Sequence, residues 1–444
     1  MNEFFGSVWW LIVTLGLLIT FHEYGHYAIA RLCGVKVLRF SVGFGKPLWS
    51  RRDRAGTEFA IAAIPLGGYV KFLDEREGEV APGEVTQAFN RKTVGQRMAI
   101  VAAGPVFNLV FAVAAFWLMF VVGKPDFQAV VATPQGVAAE AGMQAGDRIV
   151  RVGETAVGSW SEAMQALGEG AIRRADTRVE VVTAGGASAE RTLAFARLPA
   201  ELGGRELFGR IGLGVYVPAT IGLVEPASPA AGAGLREGDQ VLRINGRAVA
   251  GFDDIARIVP EEAAGNPRLS LVVRRDGREI DVDLVALASE ADGRTRYRIG
   301  IGAVGPGRAT AQYGPLEAIP QAFAQTWKST TSALATIKLL VVGQVGLENL
   351  SGPITIARAA NYSARAGLPS FLEFLALISL SLAIMNLLPI PILDGGHLLY
   401  YLIELVKGSP VSERTMIAGQ YVGLMMLVAL MGLVFYNDIL RPQF

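Results

Sequence analysis

Phe21-His22-Glu23-Tyr24-Gly25-His26 closes an apolar stretch in which, over residues 4–30, Glu23 is the only formally charged side chain. A helix rises about 1.5 Å per residue, so about 20 apolar residues cross a hydrocarbon core of roughly 30 Å. On such a helix His22 and His26, four apart, share one face with Glu23 beside them, which is the arrangement of a zinc hydrolase. The metal motif is therefore expected inside a membrane span, where an ionisable side chain is expensive and points to function. The third and last histidine, His397, follows Asp394-Gly395-Gly396 in another apolar stretch near the other end of the chain.

Outward from this motif, three further segments have span-like composition: 98–122, 371–392 and 416–435, the second of these interrupted by Asn386, Pro389 and Pro391. Across 444 residues, 51% are hydrophobic and only 18% charged, and the mean hydropathy is +0.38. That balance predicts soluble and membrane units in series. A net charge of +1 without a basic, aromatic-interleaved stripe predicts no nucleic-acid partner. Cys33 is the only cysteine, which excludes a disulfide within the chain and a cysteine-rich zinc site. Glu3 precedes the first apolar run and no Lys or Arg occurs before Arg31, so the run reads as a retained span rather than a cleaved signal.

Residues 31–97 carry twelve Lys or Arg against seven acidic residues. The positive-inside rule places this stretch in the cytoplasm and the N-terminus outside. A second span at 98–122 then puts the soluble region that follows outside the cytoplasm, and both metal motifs fall toward the cytoplasmic half.

The soluble region repeats itself. Ala141-Gly142-Met143-Gln144-Ala145-Gly146-Asp147 recurs as Ala233-Gly234-Leu235-Arg236-Glu237-Gly238-Asp239, 92 positions on (233 − 141), so two copies of one domain are expected. Each copy opens on a short strand-like run, continues through a small-residue helix to a Gly-Asp turn, and enters an alternating strand that Asn245-Gly246 closes in the second copy. The pattern resembles circularly permuted bacterial PDZ domains, with Ser228-Pro229 of the second copy replaced by Gly136-Val137 in the first. Such domains add an extended peptide to a sheet edge, or serve here only as a steric screen.

Catalytic zinc ordinarily takes three protein ligands and leaves a fourth position open. His22 and His26 supply two, and Asp394 is the one acid placed near the bilayer core of the later spans, since Glu373 and Glu404 sit toward span ends. Gly395 and Gly396 permit close backbone approach, and Pro389 and Pro391 break the helix so that the carboxylate turns inward. Two acids at span centres cost about 5 to 7 kcal/mol together on the insertion scale, which a bound zinc offsets. His397 is expected as a neighbour of the site rather than a fourth ligand, and Asn108 as a cross-helix hydrogen bond near Gly104-Pro105.

His22-Glu23-x-x-His26, Gly104-Pro105-x-x-Asn108 and Asn386-x-x-Pro389-x-Pro391-x-Leu393-Asp394-Gly395 together resemble the site-2 protease family of intramembrane zinc metalloproteases, in its sigma-E-regulating type. The resemblance implies a polytopic α-helical membrane protein with four transmembrane helices and two tandem PDZ-like α+β domains inserted between helices 2 and 3. Its parts are a first helix at 1–30, a membrane-associated β-loop region at 31–97, a second helix at 98–122, PDZ-like copies at 126–215 and 216–305, an amphipathic region at 313–343, a third helix at 371–397 and a fourth at 416–435. It further implies that Zn2+ is held by His22, His26 and Asp394, that Glu23 is the general base, and that Asn386, Pro389 and Pro391 contact the substrate. Residues 57–72 read as two short β-runs around Ile64-Pro65-Leu66-Gly67-Gly68, a hairpin that the resemblance makes a membrane-associated substrate edge. The implied partners are the lipid bilayer of a bacterial inner membrane and a single-span membrane protein, an anti-sigma factor or a remnant signal peptide, cut within its transmembrane segment. The alternative function is a non-catalytic, zinc-stabilised PDZ membrane scaffold.

Overall fold

The computed structural model describes residues 2–198, 209–291, 294–342 and 352–440. Met1, residues 199–208 and 292–293 of the two repeats, and Gly343 of the expected amphipathic region lie outside the described residues. The chain divides into two compact units, 1–124 with 312–444, and 125–311.

In the first unit, four helices among the described residues are long and apolar enough to cross a membrane: Asn2–Leu32, Val94–Val122, Leu368–Leu387 and Glu413–Leu440. The second starts in a capping box, in which Thr93 accepts from the Gln96 amide and the Gln96 side chain accepts from the Thr93 amide. Close approach fixes the first pair of spans, since a Cβ on Gly25 would collide with the Ala103 carbonyl. Ala112, Ala115, Phe116 and Met119 of the second span pack with Leu372, Ala376 and Leu380 of the third in one apolar core.

The helix Ala318–Val341 joins that core through Ala322, Ala333 and Ile337. The amphipathic segment thus packs along two spans. The sequence does not announce the helix Pro353–Arg365, whose N-terminus is held by the fourth span: Gly352 and Ile354 amides and the Thr355 hydroxyl all donate to the Asp438 carboxylate.

The third span is shorter than the expected 371–397. It ends at Leu387, Leu388 is extended, and a separate helix runs Asp394–Lys407. Pro389 has no N–H to continue the ladder and drives its predecessor out of the helical region, which explains the break. Cβ atoms on Gly395 and Gly396 would meet the Leu388 and Ile390 carbonyls, so the chain folds back on itself only with glycine there. Arg97, inside the second span, then secures the new helix through a 2.7 Å ion pair with Glu404 and a guanidinium stacked over the Tyr401 ring at 4.8 Å.

Between the first two spans, Val37–Arg52 and Glu58–Phe72 form a hairpin that turns at residues 53–57. Here the register corrects the sequence reading. The two β-runs flanking Ile64 to Gly68 do not pair with each other; Val42 partners both Ile61 and Gly68, so the runs lie on either side of residues 37–42. The resulting sheet of four segments, in the order 68–72, 37–42, 58–62 and 47–52, leaves 68–72 on an edge. Phe44, Leu48, Trp49, Ile61 and Ile64 are exposed on it.

In the second unit each repeat builds a four-stranded antiparallel sheet and one 14-residue helix, Trp160–Arg173 or Phe252–Gly265. The two cores are equivalent, with Ile149, Leu167 and Val179 buried in the first and Val241, Ile258 and Leu271 in the second. Asn245 and Gly246 both take positive φ, 48° and 78°, as a type I′ hairpin requires, and join Gln240–Ile244 to Arg247–Ala248. In the second copy Ser228 caps the helix Pro229–Gly232 by accepting from Ala231; the first copy, with Gly136 at φ 50°, has no such cap. The turn aspartate is structural: burial alone would raise the Asp239 carboxyl, but the Arg275 guanidinium and the Arg236 amide hold it below the usual carboxylate range.

Candidate metal centre

His22, His26 and Asp394 converge. The Nε2 atoms of the two imidazoles lie 3.2 Å apart, and Asp394 Oδ2 lies 3.2 Å from His22 Nε2 and 3.6 Å from His26 Nε2. The histidines share a helix face because they are one turn apart. Asp394 reaches them because its helix starts at Asp394, immediately after the extended segment, and packs against the second span.

Gly104 of the second span makes room for the rings. A Cβ there would lie 2.7 Å from His22 Cε1 and 2.6 Å from His26 Cε1, with His26 Nε2 in collision as well. The other nitrogen of each ring faces the second span: His26 Nδ1 is 2.8 Å from the Ile100 carbonyl oxygen, and His22 Nδ1 is 3.2 Å from the Asn108 side-chain amide. A carbonyl only accepts, so His26 carries its proton on Nδ1 and turns the Nε2 lone pair toward Asp394. Asn108, expected only as a cross-helix link, thus touches the site itself; its backbone carbonyl also accepts from Ser379 of the third span.

Glu23 stands next to both imidazoles and Asp394, and the backbone N–H of Val70, on the hairpin's edge segment, faces its carboxylate. A Cβ on Gly68 would lie 3.1 Å from Glu23 Cγ, so that edge passes directly over the acid.

The residues expected to contact substrate separate. Asn386 is half-buried in the last turn of the third span, and its side chain makes no hydrogen bond among the described residues. Pro389 lines an apolar groove of about 490 Å³ with Met98, Ala102, Gly395 and Leu398. Pro391 instead packs on the fourth span against Gly419 and Gly423, where a Cβ on Gly419 would collide with the Tyr400 hydroxyl. His397 belongs to no cluster of potential ligands among the described residues and sits edge-on to Tyr400.

The family model of peptidase family M50 matches residues 10–430. The chain belongs to that family. Along its whole length the M50 peptidase is similar to a Xylella fastidiosa protein designated a zinc metalloprotease, at 46% identity over 99% of this chain and 100% of that one. It is 41% identical to Protease RseP of Yersinia pestis and 39% identical to the regulator of sigma-E protease RseP of Escherichia coli, each over 97% of both chains. A solved PDZ domain of an SdrC-like protein from Listeria monocytogenes covers 20% of the chain and 87% of its own, at 24% identity and a TM-score of 0.17, too low to bear on the fold of either repeat. The M50 peptidase is a zinc metalloprotease, which sets aside the scaffold alternative.

The three converging groups suit that metal. Four-coordinate zinc with arms of about 2.0 to 2.2 Å separates its ligand atoms by roughly 3.3 to 3.5 Å, close to the spacings of 3.2, 3.2 and 3.6 Å. Asp394 Oδ2 is buried yet accepts no hydrogen bond of good geometry, even from the adjacent rings. The three potential ligand atoms lie within 4.8 Å of one another, where one cation can satisfy all of them. Gly104→Ala is accordingly expected to weaken zinc binding at least about 10-fold, the scale on which displaced ligand supports act, while circular dichroism keeps the helix content; wild-type affinity in a chelator competition would refute the packing argument.

Proposed function

We infer that this M50 peptidase is an intramembrane endopeptidase of the site-2 type, in which His22, His26 and Asp394 hold zinc and Glu23 is the general base. The observation that carries this reading is the meeting of an acid with two histidines 372 and 368 positions away (394 − 22 and 394 − 26) among helices of membrane-spanning composition.

When bound, zinc supplies a Lewis acid that polarises the scissile carbonyl and acidifies water. Glu23 takes the proton of the attacking water and passes it to the leaving amine, with no covalent intermediate. The Val70 amide, on the neighbouring edge segment, faces the Glu23 carboxylate as a nearby donor. A helical substrate hides its amides in its own hydrogen bonds, so it must unwind before it is cut. The free edge at 68–72 favours an extended substrate added as a further strand beside Glu23. Asn386, whose side-chain amide has no partner among the described residues, and Pro389, on the apolar groove, are the substrate contacts we retain from the motif. Pro391 serves by seating the extended segment on the fourth span.

The exposed apolar side chains of the hairpin suit a loop that dips into the bilayer. With the positive-inside count, this favours a bacterial inner-membrane protein of four spans with its N-terminus and two PDZ-like domains, near 126–215 and 216–305, in the periplasm, and its metal site toward the cytoplasm. The sigma-E name of the Escherichia coli relative favours an anti-sigma factor as substrate, which we take to be cut after its ectodomain is trimmed, with remnant signal peptides as a second class. The test is mass spectrometry of the products formed from a reconstituted, trimmed single-span protein. Cuts are expected within its transmembrane segment; cuts confined to its loops overturn the intramembrane assignment.

A further inference from the structure

Asn108 is completely buried in the second span, with its side-chain amide on His22 Nδ1 and its own Oδ1 without any hydrogen-bond partner. With the amide nitrogen toward the ring, His22 Nδ1 would have to accept, and its proton would then sit on Nε2. An Nε2–H cannot ligate a metal. Rotating the amide by half a turn exchanges two atoms that are nearly indistinguishable in shape. It brings Oδ1 to within hydrogen-bond reach of an Nδ1–H and takes it out of surroundings that offer it no donor.

Given the ligand assignment above, we propose that Asn108 is a positioning residue for zinc: its Oδ1 accepts from His22 Nδ1–H and so fixes the tautomer whose Nε2 lone pair points at the ion. The Ile100 carbonyl performs the same service for His26, so the second span supplies the outer partner of both rings. Two features hold Asn108 in register. It lies one helical turn beyond Gly104, on the face that the rings touch, and Ser379 Oγ donates to its backbone carbonyl at 2.8 Å. Losing an outer partner of a metal-ligating histidine typically weakens metal binding about 10- to 100-fold.

The test is zinc affinity of the full-length protein in detergent by chelator competition, with thermal stability of the metal-free protein measured alongside. Asn108→Leu, which keeps the shape and removes the acceptor, is expected to bind zinc about 10- to 100-fold more weakly. Asn108→Asp, which can only accept, is expected to stay within about threefold of wild type, as carboxylate–histidine–zinc arrangements do. If both variants lose affinity alike, or neither does, the proposal fails. Should the leucine variant not fold, Asn108→Ala takes its place, since it also removes the acceptor, and the same comparison with Asn108→Asp decides. His22→Ala tests the ligand assignment separately: unchanged zinc binding there removes the premise, whereas lost binding leaves the Asn108 comparison to stand on its own.

Discussion

Glu23→Gln is expected to bind zinc as tightly as the wild-type protein and to cut a membrane-embedded substrate at least about 10³-fold more slowly, equivalent to roughly 4 kcal/mol in the barrier. The amide has nearly the size of the carboxylate, so the turn between His22 and His26 keeps its packing. What it loses is the ability to take a proton. Glu23 is not among the three groups that converge, and so metal content should not follow it. Turnover within about 10-fold of wild type, measured with a reporter in detergent at saturating zinc, would mean that another group accepts the proton. A variant that has lost its zinc would instead make Glu23 a ligand.

Asp394→Ala is expected to lose both metal and activity. Two histidines remain, but the third side of the site is removed and the zinc affinity should fall by more than the about 10- to 100-fold that a mere hydrogen-bond partner contributes. Metal analysis after gel filtration in a weak chelator reads this directly. The adjacent Gly395 and Gly396, and the Arg97–Glu404 ion pair that anchors the same helix, stay intact, so the fold should survive. Full zinc occupancy in the variant would require the third ligand to be another acid, and would turn Asp394 into a charge that only orients the histidines.

The two variants separate the roles that one short motif and one distant residue combine. Glu23 was legible as a neighbour of the two histidines, and so as a candidate base, because helical spacing alone puts the three side chains of the motif together. Asp394 was legible by elimination, because an apolar stretch tolerates few acids and each needs a reason. Asn108 was read as a link between helices, and its contact with His22 escaped that reading. The signal was present, since Gly104 and Asn108 are four apart and must share a face, but nothing in the spacing says which helix that face meets. Likewise Pro389 and Pro391 announced a break, yet not that one proline would line a groove with Met98 while the other seats on Gly419 and Gly423.

The sequence by itself determined the apolar helices, the duplicated soluble domain with its Asn245-Gly246 turn, and the pairing of His22 with His26, because each depends on the period or backbone preference of neighbouring residues. Only the tertiary structure decided the end of the third span at Leu387, the doubling of residues 37–42 between two partners, and the route by which the motif over residues 21–26 meets Asp394. These depend on how closely separate helices approach. That distance is set at Gly25 and Gly104 by atoms far away in the chain, which no local pattern of residues encodes.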